Sequence, residues 1–137
     1  RQNRVAVEVD TKSVEATKYS HSTLTKTKRR MIVAKLTTYM NEQHSYLNPE
    51  LNMGLLSQAL AIPKHQLTET LSTELGTTFY RYVNALRVEA VKQLLRDKPD
   101  YSIEAIGFEC GFNSKSTFFK VFKQLTGYTP AGWLSRP

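Results

Sequence analysis

The feature that most constrains this chain is a segment written twice. "LNMGLLSQALAI" (51–62) and "YSIEAIGFECGF" (101–112) align at an offset of 50. In each copy a polar N-cap residue, Asn52 or Ser102, comes after an apolar residue, Leu51 or Tyr101. That apolar residue can staple onto Leu56 or Ile106 one turn into the helix. A tight turn and a second helix succeed each copy: Leu67, Leu71 and Gly76 correspond to Phe118, Phe122 and Gly127 at an offset of 51. Helix, short turn, helix and closing glycine, occurring twice, predict an all-α chain built from two helix-turn-helix subdomains.

Between the copies, "TFYRYVNALRVEAVKQLLRD" (78–97) lacks Gly and Pro and reads as one long helix. Phe79, Val83, Leu86, Ala90 and Leu94 make one apolar stripe; Val88, Val91 and Leu95 make another. A helix apolar on two sides needs two partners, as a rod joining two subdomains would. Pro99 stops it. Upstream, Thr25 to about His44 carries Met31, Ile32, Lys35, Leu36, Tyr39, Met40 and Gln43 at amphipathic spacing, and "SYLNPELN", with Pro49, breaks that helix. Residues 1–24 are polar and read as a linker or the end of an upstream domain, with Val5, Val7 and Val9 alternating as in a last strand. A start at Arg1 without Met leads us to expect a piece of a longer protein.

Charge narrows the partners. The 137 residues carry a formal +7, and the excess lies at the ends: eight Lys/Arg against three acids over 1–30, two against four over 31–79, nine against five over 80–137. That balance favours phosphate-rich partners. The single cysteine, Cys110, excludes an internal disulfide framework and reads as a small buried apolar residue. No apolar run approaches the ~20 residues of a membrane span. His21, His44 and His65 have no metal-ligand spacing, and neither a phosphate-binding glycine loop nor a nucleophile set stands out. We therefore expect no enzyme, no cofactor and no small molecule on this stretch.

The chemistry concentrates in "CGFNSKSTFFKVFKQLTG" (110–127). Gly111 sits where a helix-turn-helix needs positive φ. Phe112, Phe118 and Phe122, with Ile103 and Ile106, supply a core that leaves the other side of the second helix exposed. That side carries Lys115, Ser116, Phe119, Lys120 and Lys123, with Asn113 and Ser114 at its start. Lys reaches guanine O6/N7 or phosphate, Ser and Asn both donate and accept, and an exposed Phe lies on a thymine methyl. From periodicity alone, a solvated lysine face with Phe119 in the core fits as well.

"SIEAIGFECGFNSKSTFFKVFKQLTGYTP" (102–130) closely resembles the signature of the arabinose-regulator (AraC/XylS) family of transcription regulators. It does so at Ile103, Ile106, Gly111, Phe112, Ser114, Ser116, Phe118, Phe122, Lys123, Gly127, Thr129 and Pro130. "LRVEAVKQLL" (86–95) is similar to the family's linker-helix motif, through Arg87, Ala90, Leu94 and Leu95. The resemblance implies a homeodomain-like DNA-binding domain over 25–137, with a first helix-turn-helix at about 52–76, a linker helix at about 78–97 and a second helix-turn-helix at about 102–127. It implies double-stranded DNA as partner, read in successive major grooves. The second unit would use Asn113, Lys115, Ser116, Phe119, Lys120 and Lys123. The first would use Lys64, His65, Thr68, Glu69 and Ser72, with Arg81 and Arg87 as candidates for phosphates.

Two positions depart from the family pattern. Ala61 stands for the usual Gly of the first turn, which predicts a reshaped turn; Gly107 stands for the usual Ala, which predicts a helix loosened by roughly 1 kcal/mol. The first reading helix, "KHQLTETLSTEL", is nearly neutral, so the second unit is expected to carry most of the affinity. "TKYSHSTLT" resembles the juncture that comes after a sensory module in some members, so the expected setting is a cytoplasmic domain whose parent is tethered to the inner membrane. A homodimer formed through an upstream region is a further expectation. The alternative is an interaction module docking on RNA polymerase or a partner subunit, with DNA contact secondary.

Overall fold

The computed structural model describes residues 24–137, which are helical throughout their regular structure. The upstream alternation of Val5, Val7 and Val9 lies outside the described residues. The chain divides into two compact units, one holding residues to Gln43 with Asn52–Phe79, the other His44–Leu51 with Tyr80–Pro137.

The first unit contains α1 (Lys26–Gln43), α2 (Met53–Leu60) and α3 (Lys64–Leu75). Helix α1 buries Ile32, Leu36 and Met40, one residue per turn, and packs on both α2 and α3. Met31, expected on that stripe, is one step off it and 65% exposed. Leu56 and Leu60 of α2 and Leu67 and Leu71 of α3 complete the core. Asn52 caps α2 as expected, accepting from the Leu55 N–H at 2.8 Å.

The turn between α2 and α3 is not reshaped by its alanine. Ala61 adopts the left-handed conformation, φ 56°, ψ 43°. The Ile62 N–H donates to Ser57 O and the Ala61 N–H to Gln58 O. Around Gly111, the Phe112 N–H donates to Gly107 O and the Gly111 N–H to Phe108 O in the same pattern. The two turns are one motif, and Ala61 bears the cost because these bonds, with Ser57 Oγ donating to Ile62 O at 2.6 Å, hold it there.

The second unit contains a 3-10 turn (Ser45–Leu47), α4 (Phe79–Asp97) from Tyr80 onward, α5 (Ile103–Glu109), α6 (Lys115–Thr126) and α7 (Pro130–Ser135). Its core joins Val88, Val91 and Leu95 of α4 to Ile106, Cys110, Phe112, Phe118, Val121 and Phe122. Phe112, Phe118 and Phe122 form the expected cluster, with the Phe118 ring 5.1 Å from Phe112 and 6.1 Å from Phe122. Ala90 and Leu94, assigned from sequence to the opposite stripe of α4, pack against this same core. Over that half of α4 the two stripes are one broad face.

Gly107 keeps its helix-propensity cost and adds a packing role. It is buried, and a Cβ placed on it would come within 2.7 and 2.8 Å of Phe118 ring atoms. The absent methyl admits the Phe118 ring, so the residue tightens the core at some expense of helix propensity. Helix α7, which the sequence reading did not separate out, starts with Thr129 accepting from the Gly132 N–H at 3.0 Å and Pro130 in its first turn. It brings Trp133 to 6.2 Å from Phe122.

Candidate nucleic-acid interface

Helix α6 is oriented by three local devices. Ser114 caps it, its Oγ accepting from the Thr117 N–H at 3.1 Å. Gly111 turns the chain into it at φ 102°, and Gly127 ends it at φ 83°. Phe118, Val121 and Phe122 fasten its inner side. The remaining face exposes Lys115, Ser116, Lys120 and Lys123, with Asn113 exposed just before the cap. All five side chains can donate hydrogen bonds and three are cations, on a helix that has no acid of its own.

Phe119 departs from its expected role. It is half-buried, packs against the core and meets Phe118 edge-on at 5.4 Å between centroids. Part of the ring remains exposed beside the lysines, with Lys115 Nζ 5.6 Å from its centroid. Lys115 Nζ also lies 3.0 Å from Glu104 Oε2 of α5.

In the first unit α3 exposes Lys64, His65 and Thr68, while Ser72 is half-buried. Glu69, expected on the groove-facing side, is instead 4% exposed. Its Oε2 lies 3.6 Å from Arg29 Nη1, and Arg29 Nε also pairs with Glu74 Oε2 at 2.8 Å. A carboxylate this buried is retained beside a cation, which α1 supplies. Glu69 thus ties α3 to α1. Lys35 makes a second tie, donating from Nζ to the Leu60 carbonyl at the C-terminus of α2, 2.7 Å away. Lys35 was placed on the amphipathic stripe from sequence without this role, and Arg29 was not singled out; the signal available was its position one turn before Ile32, where the Ile32 and Leu36 stripe begins.

Arg81 is exposed on α4, as a phosphate contact requires. Arg87, the other phosphate candidate, is engaged within its own unit. Its Nε donates to Tyr46 O at 2.7 Å and its Nη2 to Asn48 O at 3.0 Å, and the guanidinium stands 6.0 Å from the Phe112 centroid. Burial lowers its pKa from the usual arginine value. Gly111 completes this clasp: a Cβ there would sit 2.7 Å from Arg87 Nε and against the Tyr46 carbonyl. The segment read as a helix breaker is therefore a strap on the second unit.

Cys110 is 1% exposed and its thiol is pushed up to about 12, by burial first and by Glu109 second. It is an apolar core residue, as expected, and not a nucleophile. Among the described residues no group of three metal-ligating side chains converges, and no helix is long and apolar enough to cross a membrane.

Comparison with known proteins agrees with this geometry. Residues 56–136 match the family described as "Helix-turn-helix domain". The chain is 31% identical over 91 residues to the probable transcriptional regulator LumQ of Photobacterium leiognathi, covering 65% of this chain and 35% of that protein. It is 31% identical over 88 residues to the HTH-type transcriptional activator RhaS of Pectobacterium carotovorum, covering 64% and 31%. The chain thus spans about a third of the length of these relatives. Among solved structures, the C-terminal domain of AraT, a response regulator from Geobacillus stearothermophilus, superposes with a TM-score of 0.67 at 22% identity, over 82% of this chain and 86% of that one. At that identity the likeness is one of fold.

Proposed function

The chain belongs to the AraC/XylS family of helix-turn-helix transcription regulators, and from that premise we propose that it reads specific double-stranded DNA sequences chiefly through α6. One observation carries the reading: Lys115, Ser116, Lys120 and Lys123 share the exposed side of a helix whose other side is locked by Phe118, Val121 and Phe122. The lysines pair with guanine edges or phosphates, and Asn113 and Ser116 supply groups that both donate and accept. The N-terminus of this twelve-residue helix adds a favourable field for phosphate beside Asn113 and Lys115.

In this reading α3 contributes Lys64, His65 and Thr68 to a second groove segment, about one helical turn or roughly 10 bp away. Its contribution to affinity is smaller, because Lys64 is the one formal cation on α3 and both of its carboxylates face Arg29. That neutral surface favours a second reading for the first unit alone: docking on RNA polymerase or a partner subunit. A homodimer formed through an upstream region, in the cytoplasm, completes the proposal.

Selection of bound sequences from a random duplex library tests it. A two-part motif with halves about a turn apart is expected; a single short motif assigns reading to α6 alone, and no enriched motif overturns sequence-specific binding. With the motif in hand, Lys120→Ala separates roles. Loss of about 1–3 kcal/mol of discrimination at one base marks a base contact, and a uniform loss marks a phosphate contact.

A further inference from the structure

Lys115 stands where an ammonium group is least welcome in a free helix, at the first residue of α6, beside the positive end of its macrodipole. Two groups hold it there: Glu104 Oε2 at 3.0 Å, and the Phe119 ring one turn along, 5.6 Å from Nζ to centroid. Glu104 lies in the first turn of α5, the other helix of the same helix-turn-helix, and is not among the residues assigned to DNA. Any duplex that engages Lys115 must either detach the ammonium from this carboxylate or bring the carboxylate toward phosphates.

We propose that Glu104 is a positioning residue that restrains Lys115 and lowers sequence-independent DNA binding. The proposal rests on the reading that α6 enters DNA. The pair is solvated, with side chains 60% and 49% exposed, so the restraint is modest and screened by salt. Its sign is nevertheless fixed. Sequence-independent binding is almost wholly cation–phosphate attraction, and a carboxylate on the leading lysine opposes it. Removing that carboxylate frees one more cation for phosphate.

The competing role for Glu104 is stabilisation of α5 by an acid at the helix start. The two roles differ in what they couple to. The experiment measures affinity of the whole chain for a duplex of mixed sequence, about two helical turns long, against salt. It compares the unaltered protein, Glu104→Gln, Lys115→Ala and the double variant, with thermal melts of each. Glu104→Gln is expected to bind about two- to fivefold more tightly, the range of an exposed ion pair, and to steepen the log–log salt slope by about 0.9. Both effects should vanish in the Lys115→Ala background. A lower melting temperature with unchanged affinity and slope would overturn the proposal in favour of the helix-start role, as would a gain that persists without Lys115. If Lys115→Ala and Lys120→Ala both leave affinity unaltered, the underlying assignment of α6 fails, and the role of Glu104 fails with it. If those lysines matter and Glu104→Gln changes nothing, only the role of Glu104 falls.

Discussion

At the scale of single residues, the two departures from the family pattern have opposite consequences. Ala61 occupies a left-handed conformation that its Cβ disfavours. Ala61→Gly should therefore stabilise the first unit by about 0.5–1 kcal/mol, the relief of strain being partly offset by a more flexible unfolded chain. Gly107 looks improvable by the same logic, since Ala is the better helix former by roughly 1 kcal/mol. The Phe118 ring occupies the space a methyl would need. We expect Gly107→Ala to destabilise the domain by about 1–3 kcal/mol, the usual cost of overpacking, outweighing the propensity gain. Denaturant unfolding of both variants checks the pair of signs; a stabilising Gly107→Ala would mean that Phe118 can retreat without loss.

At the scale of elements, the question is how a segment outside a helix comes to brace it. Arg87 of α4 donates to two carbonyls of the 44–51 strap, and Gly111 leaves room for the guanidinium and the Tyr46 carbonyl. Bonds from a charged donor contribute more than neutral ones, so Arg87→Ala should cost about 2–3 kcal/mol of stability while leaving the salt slope of DNA binding unchanged. Arg87→Lys should recover little, because a single ammonium cannot span two carbonyls as the guanidinium fork does. A stable Arg87→Ala variant with a shallower salt slope would return Arg87 to the phosphate-binding set. The repeat and two of the caps were legible in sequence, because Asn52, Ser102 and the closing glycines act within one helical turn. The strap was not, because Tyr46 and Arg87 are 41 residues apart and nothing local marks the pairing.

At the scale of the whole molecule, the basic excess of residues 80–137 and the internally paired acids of the first unit predict unequal shares of phosphate attraction. Binding to a cognate duplex should weaken with salt at a log–log slope of about −4 to −6, if roughly five to seven phosphates are neutralised. Lys115→Ala, Lys120→Ala and Lys123→Ala should each flatten that slope by about 0.9, and Lys64→Ala should do so less. Titrations at several salt concentrations decide it. A slope near zero in the unaltered chain would favour an apolar docking surface over DNA.

Residue spacing was enough for the helical class, the doubled helix-turn-helix, the caps of α2 and α5, the phenylalanine core and the lysine face of α6. All of these arise from contacts within a turn or two of chain, where residue spacing dictates which side chains meet. Packing between elements was needed to place Glu69, Arg87, Phe119 and Gly107. Each lies at a position whose helical face does not say whether it meets solvent or another element. The family resemblance assigned Glu69 and Arg87 to DNA, yet Arg29 supplies a counter-ion for one and the strap the acceptors for the other. Burying a charge is tolerable only where distant residues provide its partners, and that provision is settled by the packing of elements far apart in the chain.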